Sequence, residues 1–581
     1  MEHTSLLIKN ALVFNSYLKR FLPGNVYIQD KKFYYIDREY SDCISSEKIL
    51  DAQGLYMLPG LIDIHMHIES SMMTPGPFGH CLSGCGVTTI VSEPHEMANV
   101  KGIRGILEMI QAAEESPIDI YYGIPSSVPS TSQNLETTGG IIDCQAMKHL
   151  LAEKDIICVG EIMNYRQIIQ ENSLEITKFL NYLREEYPGY VVEGHCPSLV
   201  GLELAKFLYQ GIDADHTDHT LEEVRQRIEN GMFMELQEKM LKKEVLDYIQ
   251  ENQLYEYCSF VTDDTMADTL YQEGHLNKVV EKAIAKGFPV EQAIYCATYT
   301  PSRRMHLYDR GVIAPGKLAD FLLVKDPAKL TPELVYKNGQ EIFHRGKQTS
   351  GNRRDHFPSD FYQSIQITEL TDEDFRMPLS RFVGKEGLSS SEPSQVTVRA
   401  IEVQPDCTQT LERYVTMPVK DGYIDWKGSG CLLAMVLERH GKNGNIGYAF
   451  LTGAFLKEGT AATTYFHDHH NLFVAGDNEA DMKLAVSRIQ ELQGGFLTVQ
   501  NGKILSELPL PVCGILSDKS VEEIGTRLSE IRKSLLKLGY QHSNPIMSMG
   551  TLGLPVSPAL KLTDKGLVDV KKSVVVNLIV Q

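Results

Sequence analysis

Leu61-Ile62-Asp63-Ile64-His65-Met66-His67 runs a short apolar, β-branched segment directly into two histidines one residue apart. Alternate residues of a strand project to the same side, so His65 and His67 can meet one metal ion at a strand end. Seven further runs of the same kind follow: Val87–Val91, Ile118–Tyr122, Ile156–Val159, Tyr190–Val192, Ile212–Ala214, Met232–Met234 and Cys258–Val261. Between them lie stretches of helical period, among them Ile103–Glu114, Leu174–Glu186, Leu199–Gln210 and Leu221–Glu229. Eight strands alternating with helices predict an α/β fold with a (β/α)₈ TIM-type barrel over residues 61–307.

Such a barrel gathers its chemistry at the C-terminal ends of its strands. The first strand delivers His65 and His67, and the second Glu93-Pro94-His95-Glu96. The fourth delivers Glu161, the fifth His195, the sixth His216, the seventh Glu235 and the eighth Asp263 and Asp264. A single His-x-His carries little weight, but ligand-type residues at the ends of successive strands form a joint pattern. Imidazole and carboxylate suit Zn²⁺, Mn²⁺ or Fe²⁺. A carboxylate can bridge two cations, and Glu161 is the natural bridge. His65, His67 and Asp263 are then expected on one ion, with His195 and His216 on the other. His216 is preferred over His219 because it ends the strand directly. Two close cations would lower the pKa of a shared water to give a bridging hydroxide, and Asp263 can take its proton and pass it to a leaving group.

Outside the barrel, residues 1–60 read as short strands: Leu6–Ile8, Ala11–Phe14, Val26–Ile28 and Phe33–Ile36. The β-like stretch Gly311–Lys325 lies beyond the barrel, so 1–60 and 308–345 are expected to join into one small β-sandwich domain. Residues 346–398 are polar, with the Ser-rich stretch Ser389–Pro393, and read as a connector. Residues 399–581 form a further α/β domain, with a hairpin expected at Phe496–Leu505 around Asn501-Gly502.

A net charge of −20 argues against nucleic-acid binding and against an anionic membrane surface. No apolar run reaches bilayer length, and the first ten residues lack the pattern of a signal peptide. The eleven cysteines are scattered, Cys81/Cys85 being the one close pair, which fits reduced thiols in a cytoplasmic protein. His467, Asp468, His469 and His470 form a cluster read as a polar support or pocket contribution rather than an independent metal site.

The runs PGLIDIHMHIESSMMTP (59–75), EPHEMANVKG (93–102), GEIMN (160–164), GHCP (194–197), ADH (214–216) and TDD (262–264) resemble the adenine deaminase family of the amidohydrolase superfamily. So do HDHHN (467–471), AVSRIQELQGG (485–495), ELPLPVCGILSD (507–518) and KLTDKGLVDV (561–570), so the resemblance covers almost the whole chain. It implies hydrolysis of the C6 amine of adenine to hypoxanthine and ammonia, with a glutamate, Glu161, where many superfamily members carry a carbamylated lysine. It further implies proton donation near N1 by His95 or Glu96, and a pocket lined by Glu69, Ser70 and Ser71, to which Glu235 and Asp264 are added. Mn²⁺ or Fe²⁺ would be used ahead of Zn²⁺, and a homodimer is implied. Three places depart from the family pattern: Met234-Glu235-Leu236-Gln237, Thr265 after the paired aspartates, and Tyr165-Arg166-Gln167. They spare the ligands and fall near the pocket, so a related purine, heterocyclic amine or cyclic amide stays open as substrate, beside a catalytically silent binding homologue.

Overall fold

The computed structural model describes residues 2–39, 43–170, 174–347, 355–382 and 393–580. It is a mixed α/β fold carrying an N-terminal β-sandwich and a C-terminal domain.

All eight expected central strands are present, as Leu61–Met66, Val87–Ser92, Asp119–Ile124, Ile156–Ile162, Val191–Gly194, Ala214–Asp215, Phe233–Leu236 and Cys258–Phe260. They hydrogen-bond as two parallel sheets, the first five strands in one and the last three in the other. An isolated parallel bridge between Met66 and Asp263 links the first strand to the segment after the last. At the other junction no ladder joins Val191–Gly194 to Ala214–Asp215 among the described residues. The two backbones nevertheless abut there, because a Cβ on Gly194 would lie 2.5 Å from the Ala214 carbonyl oxygen. Most of the strand residues are buried, which is why these strands read as continuous apolar runs rather than as alternating ones.

The helix expected near Ile103–Glu114 starts earlier than its apolar period suggested. It runs His95–Ala113 with a break at Gly102, so His95 and Glu96 form its first turn instead of preceding it. The segment around Gly140 lies against that break. A Cβ at Gly140 would meet Gly102 N at 2.1 Å and Ala98 O at 2.2 Å. Backbone cannot yield as a side chain can, so Gly140→Ala is expected to destabilise the protein by about 1–3 kcal/mol, read as a lower denaturation midpoint.

Strands from both flanks share one eight-stranded sheet that includes Glu2–Asn15, Arg20–Gln29, Lys32–Asp37, Tyr56–Pro59, Phe321–Val324 and Pro332–Lys337. Leu6–Ile8 and Ala11–Phe14 are one strand with an irregularity between Ile8 and Ala11, not two strands. Of Gly311–Lys325, only Phe321–Val324 is strand. Ile8, Val26, Ile28, Phe321 and Leu323 form the core of this sandwich, separate from the central one.

Within the stretch read as a polar connector, a few apolar residues of the described part reach the core. Ser389–Glu392 lie outside the described residues, but Phe361, Phe375, Met377 and Leu379 are buried in the main core. Asp360 pairs with Lys101 and Arg104 of the broken helix. The C-terminal sheet already begins at Gln395, inside the range assigned to the connector. That sheet has ten strands, with helices Glu479–Leu492 and Val521–Lys537. The expected hairpin is present as Gly495–Gln500 and Lys503–Pro509, and Asn501 and Gly502 take φ of 52° and 72° at its turn.

Candidate active site

The C-terminal ends of the central strands converge on Glu161, which is buried. Its two oxygens face different groups. Oε1 lies 3.5 Å from His67 Nε2, whereas Oε2 lies 2.7 Å from His195 Nδ1 and 3.3 Å from His216 Nε2. Asp263 Oδ1 closes the first side, 3.6 Å from His67 Nε2 and 3.9 Å from His65 Nε2. The His65 and His216 rings stack at 3.7 Å. Donor atoms of His65, His216 and Asp263 and of Glu161, His195 and His216 thus form two overlapping groups with the spacing of metal ligands. His65 Nε2 is buried without a hydrogen-bond partner among the described residues, as suits an imidazole that has a metal to bind. The residues fit divalent cations.

The electrostatics give the cluster an anionic carboxylate and a neutral imidazole. Burial alone would raise the Glu161 carboxyl, but His195 and His216 draw it well below the usual range, so it is an anion. Burial holds His65 well below the ordinary imidazole value, aided by His216, and leaves a neutral ring with a free lone pair. Burial and then the neighbouring Asp264 raise Asp263. His219, the alternative to His216, is occupied elsewhere: its Nε2 is 2.8 Å from Asp215 Oδ2, in a buried group with Arg227.

One ligand-type residue in this cluster was quoted in the sequence but given no role. Glu93 ends the second strand, and its Oε2 lies 3.7 Å from His67 Nδ1 and bonds His95 Nδ1. Together with His67, His95 and Glu161 it makes a four-donor buried group. The signal was available in Glu93-Pro94-His95, which lies between the end of the strand at Ser92 and the start of the helix at His95.

The residues expected around the pocket divide. Glu69 accepts from Met97 N at 3.3 Å through Oε1, leaves Oε2 without a partner among the described residues, and is pushed up to about 7 by burial. Ser70 Oγ donates to Asp264 Oδ1, and Asp264 is exposed at the mouth. Ser71 turns away, since its hydroxyl donates to Ile68 O at 2.6 Å within its own turn. Glu235 lies behind the ligands, fully buried, with Oε2 3.9 Å from His216 Nδ1, and burial followed by Glu193 raises it well above the usual range. Gln237, one of the departures from the family pattern, donates to His216 O at 2.8 Å and so fixes the His216 backbone.

His95 and Glu96 take opposite states. Burial opposes the charge on His95, yet Glu93 and Glu96 raise it well above its ordinary value. Burial likewise opposes the Glu96 carboxylate, but His467 and His470 hold it well below. Both Glu96 oxygens are engaged, Oε1 with His467 Nδ1 at 2.5 Å and Oε2 with His470 Nε2. His95 is thus pushed toward its protonated form and Glu96 toward its anion. The same contacts bring the His467–His470 cluster of the C-terminal domain against the site.

The comparisons with known proteins agree with this geometry. The amidohydrolase family matches residues 56–342, and the adenine deaminase C-terminal domain matches residues 408–574. An adenine deaminase of Clostridium perfringens is 44% identical over 579 residues, spanning 99% of either chain. Adenine deaminase 2 of Shouchella clausii is 44% identical over 582 residues, 100% of this chain and 99% of its own. Adenine deaminase 2 of Oenococcus oeni is 42% identical over 571 residues, 98% of each. Family matches over both the central and C-terminal regions, with near full-length relatives, place the chain in the adenine deaminase family of the amidohydrolase superfamily.

Proposed function

We propose that this protein hydrolyses adenine to hypoxanthine and ammonia, in a binuclear centre at the mouth of an eight-stranded barrel whose two arcs are the five- and three-stranded sheets. The observation that carries the reading is the division of Glu161, one oxygen toward His67 and the other toward His195 and His216. In this reading Glu161 would be shared between two cations, of which His65, His67 and Asp263 would hold one and His195 and His216 the other, with Mn²⁺ or Fe²⁺ preferred to Zn²⁺. The cations, when bound, supply Lewis acidity and activate water at neutral pH.

The chain's own residues orient the base and move its protons. Asp263 accepts a proton at a carboxylate oxygen and delivers it to the departing amine, a role suited to a carboxyl raised by burial and Asp264. His95 donates at ring N1, its charge sustained by Glu93 and Glu96. Glu69 and Ser70 line the ring's approach. Glu235 acts through His216, setting the imidazole's orientation from behind. The small sandwich of 1–60 with 308–345 and the C-terminal domain from about 399 frame this centre, in a homodimer.

The test is ammonia release from adenine by the Mn²⁺-loaded protein, with Glu161→Gln as control. Release that vanishes in the variant supports the reading. Two metals bound with no release would send the search to other purines and cyclic amides. Glu93→Gln gives a second check. Because Glu93 reaches both His67 and His95, the variant is expected to lose about 10- to 100-fold in metal affinity and activity together, measured by metal titration and steady-state rates.

A further inference from the structure

The first central strand, Leu61–Met66, and the last, Cys258–Phe260, share no ladder among the described residues. One isolated bridge, Met66 to Asp263, marks the seam between them, and there Asp263 N donates to His65 O at 3.1 Å. A parallel ladder fixes the register of two strands along its length, whereas an isolated bridge leaves that task to side chains. The seam matters because His65 and His67 stand on one side of it and Asp263 on the other. His195 and His216 follow the fifth and sixth strands instead.

Three side chains tie the seam. Asp63 is buried, and as residue i−2 to His65 it shares that strand face. Its Oδ1 accepts from His65 N at 3.3 Å and its Oδ2 from Thr262 Oγ1 at 2.7 Å. Thr262 directly precedes Asp263. His275, also buried, places Nε2 3.2 Å from the same Thr262 Oγ1, while its Nδ1 stands 3.7 Å from Asp63 Oδ2, beyond hydrogen-bond reach. Burial pushes the ring down to about 3, so it is neutral and carries one N–H. Thr262 spends its own hydrogen on Asp63, so its oxygen accepts and His275 Nε2 donates. The ring itself is held from outside the seam: Asn277 Oδ1 accepts from His275 N at 3.0 Å, and Phe78 packs edge-on at 5.8 Å. His275 therefore fixes the Thr262 hydroxyl, the hydroxyl fixes Asp63, and Asp63 fixes the His65 backbone.

Resting on the two-cation reading above, we propose that His275 is a positioning residue for one cation only: acting through Thr262 and Asp63, it sets His65 and Asp263 for the ion they share with His67, and leaves the ion of His195 and His216 alone. The segments that carry His195 and His216 are fixed by a different group, Asp215 with Arg227. Groups that hold a metal ligand in place, without touching the metal, tune its affinity. The two halves of the centre thus have separate supports, and each can be loosened without the other.

The experiment titrates the full-length, metal-stripped protein with Mn²⁺ and follows binding by calorimetry and by electron paramagnetic resonance, where two neighbouring Mn²⁺ ions give a coupled spectrum and a lone ion does not. The wild type is expected to take up two ions and show the coupled spectrum. His275→Leu is expected to weaken one ion by about 10- to 100-fold and leave the other as in the wild type, so that at limiting Mn²⁺ the lone-ion spectrum replaces the coupled one. His275→Gln, which returns an N–H donor near the position of Nε2, is expected to restore the second ion. A merely structural loss would weaken both ions together and would not be rescued in this way. Should His275→Leu fail to fold, Thr262→Val removes the hydroxyl at the middle of the chain of bonds and carries the same test. Two ions of wild-type affinity in the variant, equal weakening of both, or a selective loss that His275→Gln does not restore overturns the assignment and leaves the two-cation reading standing. A wild type that takes up fewer than two Mn²⁺ ions overturns both.

Discussion

Glu161→Gln is expected to lower kcat on adenine about 10⁴-fold, equivalent to roughly 5 kcal/mol of barrier, the scale of a Lewis-acid contribution removed at the reacting centre. The substitution keeps the side chain's size and alters its donor chemistry alone. A carboxylate offers an anionic oxygen to each side, to His67 at 3.5 Å and to His195 at 2.7 Å. The amide offers one neutral oxygen and one NH₂, and the NH₂ cannot ligate a cation. One of the two groups of donors therefore loses its shared member whichever way the amide is turned. Metal content is expected to fall from two ions to about one per chain. Elemental analysis beside the rate measurement checks both effects. A variant that keeps two ions and its full rate would remove Glu161 from the bridging role and turn attention to Glu93, which also stands between two histidines of the cluster.

How much of this was legible in the sequence depends on the range of the interaction. Strand ends were readable because burial and chemistry change abruptly there: Leu61–Ile64 is wholly apolar except for Asp63, and His65 follows at once. The six ligand-type residues assigned to the cations all reach one cluster. Sequence could not show how side chains sharing one short motif divide their work. Glu93 and Glu96 are three apart, yet one faces His67 and the other faces the C-terminal domain. Ser70 and Ser71 are adjacent, yet one reaches Asp264 and the other caps its own turn. Glu235 ends its strand like a pocket residue but sits behind His216, because its neighbours Glu193 and Arg304 come from distant segments. Nor does local composition reveal that Phe361 and Phe375 anchor a mostly polar stretch to the core, since Phe375 stands among charged residues and Phe361 beside Asp360.

Arg227→Leu is expected to destabilise the region around the fifth and sixth strands by about 3–5 kcal/mol, the scale of removing one partner from a buried ion pair. Arg227 is fully buried. Its Nε donates to Asp215 Oδ2 at 2.7 Å, and its Nη atoms donate to Cys196 O at 2.6 Å and Leu199 O at 3.2 Å. Leucine fills part of the volume but leaves two carbonyls and a carboxylate oxygen short of a donor. Cys196 follows His195 and Asp215 precedes His216, so one guanidinium holds the segments that carry two histidines of the cluster. The variant is therefore expected to bind metal more weakly although it touches no ligand side chain. In a chain of several domains a single unfolding free energy is poorly defined. Hydrogen exchange across residues 194–217, with metal titration, is the suitable measurement. The pH dependence follows from Asp215, which burial would raise but which His219 and Arg227 hold well below the ordinary carboxylate range. A depressed folded-state pKa contributes stability that is present above the unfolded value and lost as pH falls through the folded one. The gap between wild type and variant should thus be widest at neutral pH and narrow in strong acid. Equal exchange in the two proteins at neutral pH would mean that His219 and Thr217 suffice to hold Asp215, and that the ligand loops are positioned by the strands alone.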